Sequence, residues 1–479
     1  MGVSDFGLFN LVAGVIVLLS FANGALSISG QRFFSIALGE GDNKKLNNYF
    51  NSSLGIHVLF AICISILLLL LEPFLFNGFL SISDEQTGSA IQVYQILIIS
   101  SFITVLSIPL SAIANAYEDL TILSIADIVS NIIKLIGAYA LVFFEEKLIA
   151  YSLVMLGSIV LKLLIELIWC IKKYCHIKFS INKFYDKAIW HSMLSFVSYN
   201  TLGSLAVIVR SQGIAVLFNI YFGTIINASY GIANQINSLV LSFAAAITTV
   251  FAPTIIRSYG AGDTTKTIET AFLSCKLSFF LSSIMALPML VYLDEILDIW
   301  LDCVPPHTNI FTIFIIFSFL ILQLYPGLNR AIYATGNIKK YQILLSVAIM
   351  GVIPVGVLFF ELNLPDYSLL IVLLVSQVIT LILTIILAKE LLGIKDAHIW
   401  RDLVIRPSTL FIAALCMCLF IRHLTNSSNI IEIVLYSLLF VSIYALAYYK
   451  TILNKTEQLK VHGLANQILN KLGIKNYLL

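Results

Sequence analysis

Apolar runs long enough to cross a bilayer recur along the whole chain. They fall at residues 8–28, 52–76, 90–117, 121–144, 149–171, 192–219, 227–256, 269–293, 309–333, 341–360, 367–388, 407–421 and 430–449. A ~30 Å hydrocarbon core takes roughly 20 residues of helix, so the pattern predicts about thirteen transmembrane helices. Several runs are interrupted by Gly, Pro or Asn, and 407–421 is short for a full crossing. The polar turns between them alternate in charge. Arg32, Lys44 and Lys45 follow the first run, and the next turn has no Lys or Arg. Lys172, Lys173, Lys178, Lys183 and Lys187 separate the fifth and sixth runs; Arg257 and Lys266 follow the seventh. Lys339 and Lys340 follow the ninth run, and Lys389, Lys395, Arg401 and Arg406 the eleventh. Lys147 and Arg422 are nearly all that the alternate loops hold. Basic loops stay in the cytoplasm, which predicts a cytoplasmic C-terminus and an external Met1.

Composition agrees. The 479 residues are 59% hydrophobic and 11% charged, with a mean hydropathy of +0.97. A soluble domain carries roughly 25% charged residues, so the chain is expected to be an all-α polytopic membrane protein. The net charge of +2 says little about partners, and no nucleic-acid partner is expected. The seven cysteines show no CxxC or CxxH spacing and suit buried apolar positions better than a metal or a disulfide. No cofactor or catalytic motif is apparent: HExxH, GxSxG and a Walker sequence are all absent.

Part of the chain is said twice. LGEGDNKK at 38–45 returns as YGAGDTTK at 259–266, with Gly, Gly, Asp and the final Lys in register. Upstream, FGLFN at 6–10 matches YGIAN at 230–234, and Ser20-Phe21-Ala22 matches Ser242-Phe243-Ala244. Both copies run from outside to inside and end in a basic turn, so they are expected to be parallel repeats related by an axis along the membrane normal. The second copy follows a full span, 192–219, while the first follows none, which predicts one more helix ahead of the first half. The resulting division is an N-terminal lobe (1–171), a basic cytoplasmic loop (172–191), a C-terminal lobe (192–388), an extra helix pair (407–449) and an amphipathic cytoplasmic tail (450–479). In the tail, Val461, Leu464, Ile468 and Leu472 share one helical face, opposite Lys460 and Lys471, as in helices that lie on a leaflet.

Ionisable residues inside spans are costly and usually functional. Asp127, Asn131 and Lys134 fall on one helix face at i, i+4, i+7; Lys162 and Glu166 form an i, i+4 pair in the next span. These charges suit either a self-neutralising network joining helices or a substrate site. In the second half, Arg210 and Lys276 lie roughly 7 Å from the midplane, with Arg330 nearer the cytoplasmic end. No Asp or Glu lies well inside a second-half span. Arg210 and Lys276 are therefore expected to face a water-filled cavity and an anionic ligand. Pairing with Asp127 or Glu166 is the competing reading.

Several phrases resemble the polysaccharide-transporter branch of the MOP superfamily, the Wzx-type flippases. They are GVSDFGLFNLVAG with QRFFS (31–35), NAYEDL (115–120), NASYGIANQ (227–235), APTIIRSYGAGD (252–263), ILDIWLDCVPPHT (296–308) and RAIYATGNIKKYQ (330–342). The resemblance covers nearly the whole chain. It implies a MOP/MATE-like bundle of two six-helix lobes around a cavity, plus a C-terminal helix pair. Family members usually begin with a helix ahead of the GVSDFG phrase. The implied activity is export of an undecaprenyl-diphosphate-linked oligosaccharide across the bacterial inner membrane, for O-antigen or capsule. Membrane lipids and other polysaccharide-assembly proteins are the implied partners. Three rivals remain. A drug/ion antiporter of the same superfamily would need a buried carboxylate, with Asp127 the candidate. A glycan polymerase or ligase would need a large basic external loop, yet the loop 294–308 is acidic. A scaffold of the export machinery is the third.

Overall fold

The computed structural model describes residues 21–76, 84–144, 146–174, 176–394, 399–425 and 430–459. The FGLFN phrase, most of the run 8–28 and the amphipathic stretch 461–472 lie outside the described residues. Within them the chain is helical, without a strand. The helices are α1 (Phe21–Glu40), α2 (Asn43–Phe74), α3 (Asp84–Ala116), α4 (Leu120–Ala140), α5 (Lys147–Lys173), α6 (Lys187–Gly260), α7 (Thr264–Val291) and α8 (Leu293–Trp300). There follow α9 (Thr308–Leu322), α10 (Pro326–Thr335), α11 (Lys339–Met350), α12 (Val352–Glu361), α13 (Ser368–Leu392), α14 (Arg406–Thr425) and α15 (Ile430–Thr451).

The hydrophobic pattern and the helices agree closely. Helix α6 runs 74 residues, ~110 Å at 1.5 Å per residue and far too long for one crossing. It breaks at Gly223, whose φ of 83° and ψ of −177° only glycine adopts readily. Its arms, 187–222 and 224–260, answer to two predicted runs. Helices α9 and α10, together apolar enough for one crossing, are bent by 43° at the break between them. The marginal run 407–421 is lengthened by a π-helical turn, Trp400–Ile405, so that Trp400–Thr425 is long enough to cross. With α6 taken as two crossings, every predicted run after the first has its helix.

The chain divides into two compact units, Met1–Leu205 with Ile256–Asp263, and Ala206–Ile255 with Thr264–Leu479. In the first, α3 packs on α1, α2 and α5, and α4 lies against α5. Phe34, Phe50, Cys170 and Tyr174 form part of its core. This unit also holds both copies of the repeated turn, and they have the same geometry. Gly41 (φ 71°) donates to Leu38 O at 3.2 Å, and Asp42 N to Ala37 O at 3.1 Å. Gly262 (φ 78°) donates to Tyr259 O at 3.0 Å, and Asp263 N to Ser258 O at 3.1 Å. Each is a left-handed glycine cap. Asp42 also starts the next helix, accepting from Lys45 N at 2.8 Å.

The first glycine of each turn lets two helix ends meet backbone to backbone. A methyl group on Gly39 would enter the Arg257 carbonyl, and one on Gly260 would lie 2.6 Å from the Ile36 carbonyl oxygen. A shift of 221 residues carries Ile36 onto Arg257 and Gly39 onto Gly260. The two copies of the repeat therefore touch reciprocally.

In the second unit α13 packs on α9 to α12, and α7 packs on α10, α14 and α15. Small residues let α7 and α10 approach: Gly327 sits on the Ala271 carbonyl, and Ser274 and Ser278 are fully buried. Phe279 meets Phe411 of α14, and Phe280 lies 4.8 Å from Tyr448 of α15. The C-terminal helix pair is thus built into the core of this unit.

Candidate functional site

The intramembrane charges fall into three groups with different surroundings. In the first unit, Lys162 of α5 pairs with Asp127 of α4 at 2.5 Å, not with Glu166 one turn along its own helix. Asp127 is 57% exposed, and Lys134 lies 3.5 Å from the Asn131 amide oxygen on the same open face. An exposed charged stripe on a membrane-spanning helix needs water or a partner rather than lipid. Glu166 points the other way. It is 4% exposed, and its Oε2 accepts a hydrogen bond from Ser111 Oγ at 2.8 Å. Its Oε1 is buried without a hydrogen-bond partner.

The second group corrects the sequence-based expectation. Lys276 does not stand without a carboxylate: its Nζ donates to both oxygens of Glu457 at 2.9 Å, and the two side chains are 6% and 9% exposed. Glu457 follows α15, beyond the last span. Its Oε2 accepts from Asn454 N at 2.8 Å while Asn454 Oδ1 accepts from Glu457 N at 2.9 Å. That is a reciprocal helix-start box. Tyr448 adds a hydrogen bond to the Lys276 carbonyl at 2.8 Å. Lys276 is a buried anchor for the chain after α15.

The third group comprises Arg210 and Arg330. Among the described residues, the ionisable groups acting on Arg210 are the phenols of Tyr230 and Tyr325. Arg330, on the first turns of α10, lines a cavity of about 270 Å³ with Thr248, Thr249, Gln323, Tyr325 and Asn329. Arg330 Nη1 and Asn329 Oδ1 are buried there without a hydrogen-bond partner. The guanidinium lies 5.9 Å from the Tyr333 ring. The bend between α9 and α10 places Pro326, the first residue of α10, in the lining of this cavity. A guanidinium and an amide around one space suit an anionic oxygen. Among the described residues no cluster of His, Cys, Asp and Glu could hold a metal ion.

One cluster outside the spans was not singled out by sequence. Asp119, in the NAYEDL phrase, accepts from Trp169 Nε1 at 2.7 Å, Lys173 Nζ at 2.7 Å and Tyr174 OH at 2.9 Å. Burial alone would push its carboxyl up. The hydrogen bonds and the Lys173 charge outweigh that and hold it below the usual carboxylate range. Tyr117 stacks on Tyr174. The motif is a structural clamp between the start of α4 and the end of α5.

Similarities to known proteins place the fold. The MatE family model matches residues 3–140. No curated protein sequence matches the chain. Among solved structures, a MATE crystal structure in the bent conformation superposes with a TM-score of 0.71 at 14% identity, over 82% of this chain and 88% of that one. An outward-facing multidrug resistance MATE transporter of the MOP superfamily gives 0.67 at 14% identity, over 82% and 89%. A MOP superfamily transporter from Pyrococcus furiosus gives 0.66 at 15% identity, over 81% and 87%; it is described as having a binding pocket of reversed polarity that suggests a different function. The chain has the all-helical fold of MATE transporters, with helices long and apolar enough for a multi-pass membrane protein.

Proposed function

We propose that the protein is a flippase moving an undecaprenyl-diphosphate-linked oligosaccharide across the bacterial inner membrane by alternating access. The observation that carries this reading is the Arg330 site: a guanidinium nitrogen without a hydrogen-bond partner in a cavity at a helix break, with no carboxylate acting on Arg210 among the described residues. A membrane cation without a counter-charge is unfavourable by at least ~2.5 kcal/mol at a helix centre. A diphosphate or an acidic sugar would supply the missing charge. The basic turns at Lys44 and Lys266 and the C-terminus would then face the cytoplasm, where such lipids are assembled.

A MATE-like antiporter for drugs is the second reading. It is favoured by the buried Glu166 carboxyl, the kind of group that can bind a coupling ion, and by the multidrug transporter among the fold's neighbours.

Surface-glycan export in a host lacking its own flippase separates the two. Arg330→Ala should lower export about tenfold or more, the worth of one charged hydrogen-bonding group, at normal membrane levels. Arg330→Lys should keep part of it, and Arg210→Ala should behave like Arg330→Ala. Drug resistance without glycan export, or undiminished export by Arg330→Ala, overturns the flippase reading.

A further inference from the structure

We propose that Glu166 is a proton-binding site, and that its protonation decides which of two carboxylates holds Lys162. The inference rests on the transport reading above and supplies its coupling ion, H⁺. Three observations carry it. Glu166 is buried inside a span, with Ser111 Oγ of α3 on one oxygen and no hydrogen-bond partner on the other. An anion there would be half-solvated at best, so the arrangement suits the neutral acid. Lys162 is bonded outward to Asp127, which is more than half exposed. Yet Lys162 and Glu166 are one turn apart on the same helix, close enough to pair after a side-chain rotation alone. The charged groups acting on Glu166 are Lys162 of its own helix and Asp127 of α4; Ser111 is what α3 presents to it.

The two states balance in protons and charge. With Glu166 neutral, Lys162 and Asp127 neutralise each other on the exposed face. When Glu166 releases its proton to water, Lys162 turns to the new carboxylate and Asp127 is left as a bare anion on that face. Proton binding therefore removes a negative charge from the open side of the α4–α5 hairpin, and proton release restores it. An anionic substrate approaching that face would be favoured in the protonated state and expelled in the other. This links one proton to each change of affinity.

Infrared titration of the full chain in lipid reads the protonated carboxyl band directly. A pH-dependent band is expected, and Glu166→Gln should remove it. Asp127→Asn frees Lys162 for Glu166, so the band should vanish about one pH unit or more lower. Lys162→Met should keep it to higher pH. These two variants carry the test even if Glu166→Gln does not accumulate. A band that survives Glu166→Gln, or opposite shifts that fail to appear, overturns the proposal. Substrate movement in proteoliposomes distinguishes the two levels. A titrating Glu166 without movement of lipid-linked sugar sinks the flippase reading alone. Movement whose pH dependence is unchanged in Glu166→Gln sinks the proton site alone.

Discussion

Lys276→Met is the sharpest perturbation the structure offers. Both members of the Lys276–Glu457 pair are over nine-tenths buried, and two hydrogen bonds of 2.9 Å join them. Replacing the lysine leaves Glu457 buried with only the Asn454 backbone N–H as donor. Removing one partner of such a pair costs ~3–5 kcal/mol, mostly the penalty of the stranded charge. If Glu457 escapes by undocking the segment after α15, the undocked population rises roughly a hundredfold to several thousandfold, at ~1.4 kcal/mol per tenfold. Trypsin cleavage at Lys455, which tracks the open population when reclosing is fast, should accelerate accordingly. Adding Glu457→Gln removes the stranded charge and keeps a helix-start box. The double variant should recover to within ~1–2 kcal/mol of the parent. The reasoning fails if Lys276→Met is cleaved at the parental rate. If it is stable but loses export, Lys276 serves the ligand after all.

Two further outcomes follow from the packing and the protonation states. Gly39→Ala or Gly260→Ala drives a methyl group into a facing backbone that cannot rotate away; a loss of ~1–3 kcal/mol or more is expected by detergent thermostability. Gly157→Ala, with open space beside it, should be neutral or slightly stabilising, and equal behaviour of all three would refute the close-contact account. The Asp119 carboxyl is held below its unfolded value of ~3.9. Its stabilisation is therefore fully present above that value and is lost as pH falls through the folded one. Asp119→Asn should flatten the acid limb of the stability profile, and an unchanged limb would show that the clamp is not charge-assisted.

Span positions were legible because an apolar run of ~20 residues in a chain this hydrophobic has few other fates. The GxGD turns were legible as a repeat because the left-handed cap needs its glycine. The break at Gly223 was not, since a polar interruption between two runs predicts a loop as readily as a kinked helix. The cationic character of Arg210 and Arg330 could be read from depth alone. Lys276 could not, because its partner arrives from 181 residues away in sequence and outside any span. Asp127 drew attention as an intramembrane acid, but burial singles out Glu166, and burial on one helix face is set by neighbours that periodicity does not name.

The reciprocal contact of Gly39 and Gly260 bears on ancestry. Contacts in which position i meets j and j meets i are the mark of a two-fold interface between identical subunits. Here both partners lie on one polypeptide, at positions that the sequence repeat aligns. If the repeat arose by duplication, a half-length ancestor meeting a copy of itself would have crossed its own helix end at this glycine. Fusion would have turned that subunit contact into an internal one. It would also have freed the halves to diverge in charge, one acquiring the Asp127–Lys162–Glu166 cluster and the other its solitary arginines.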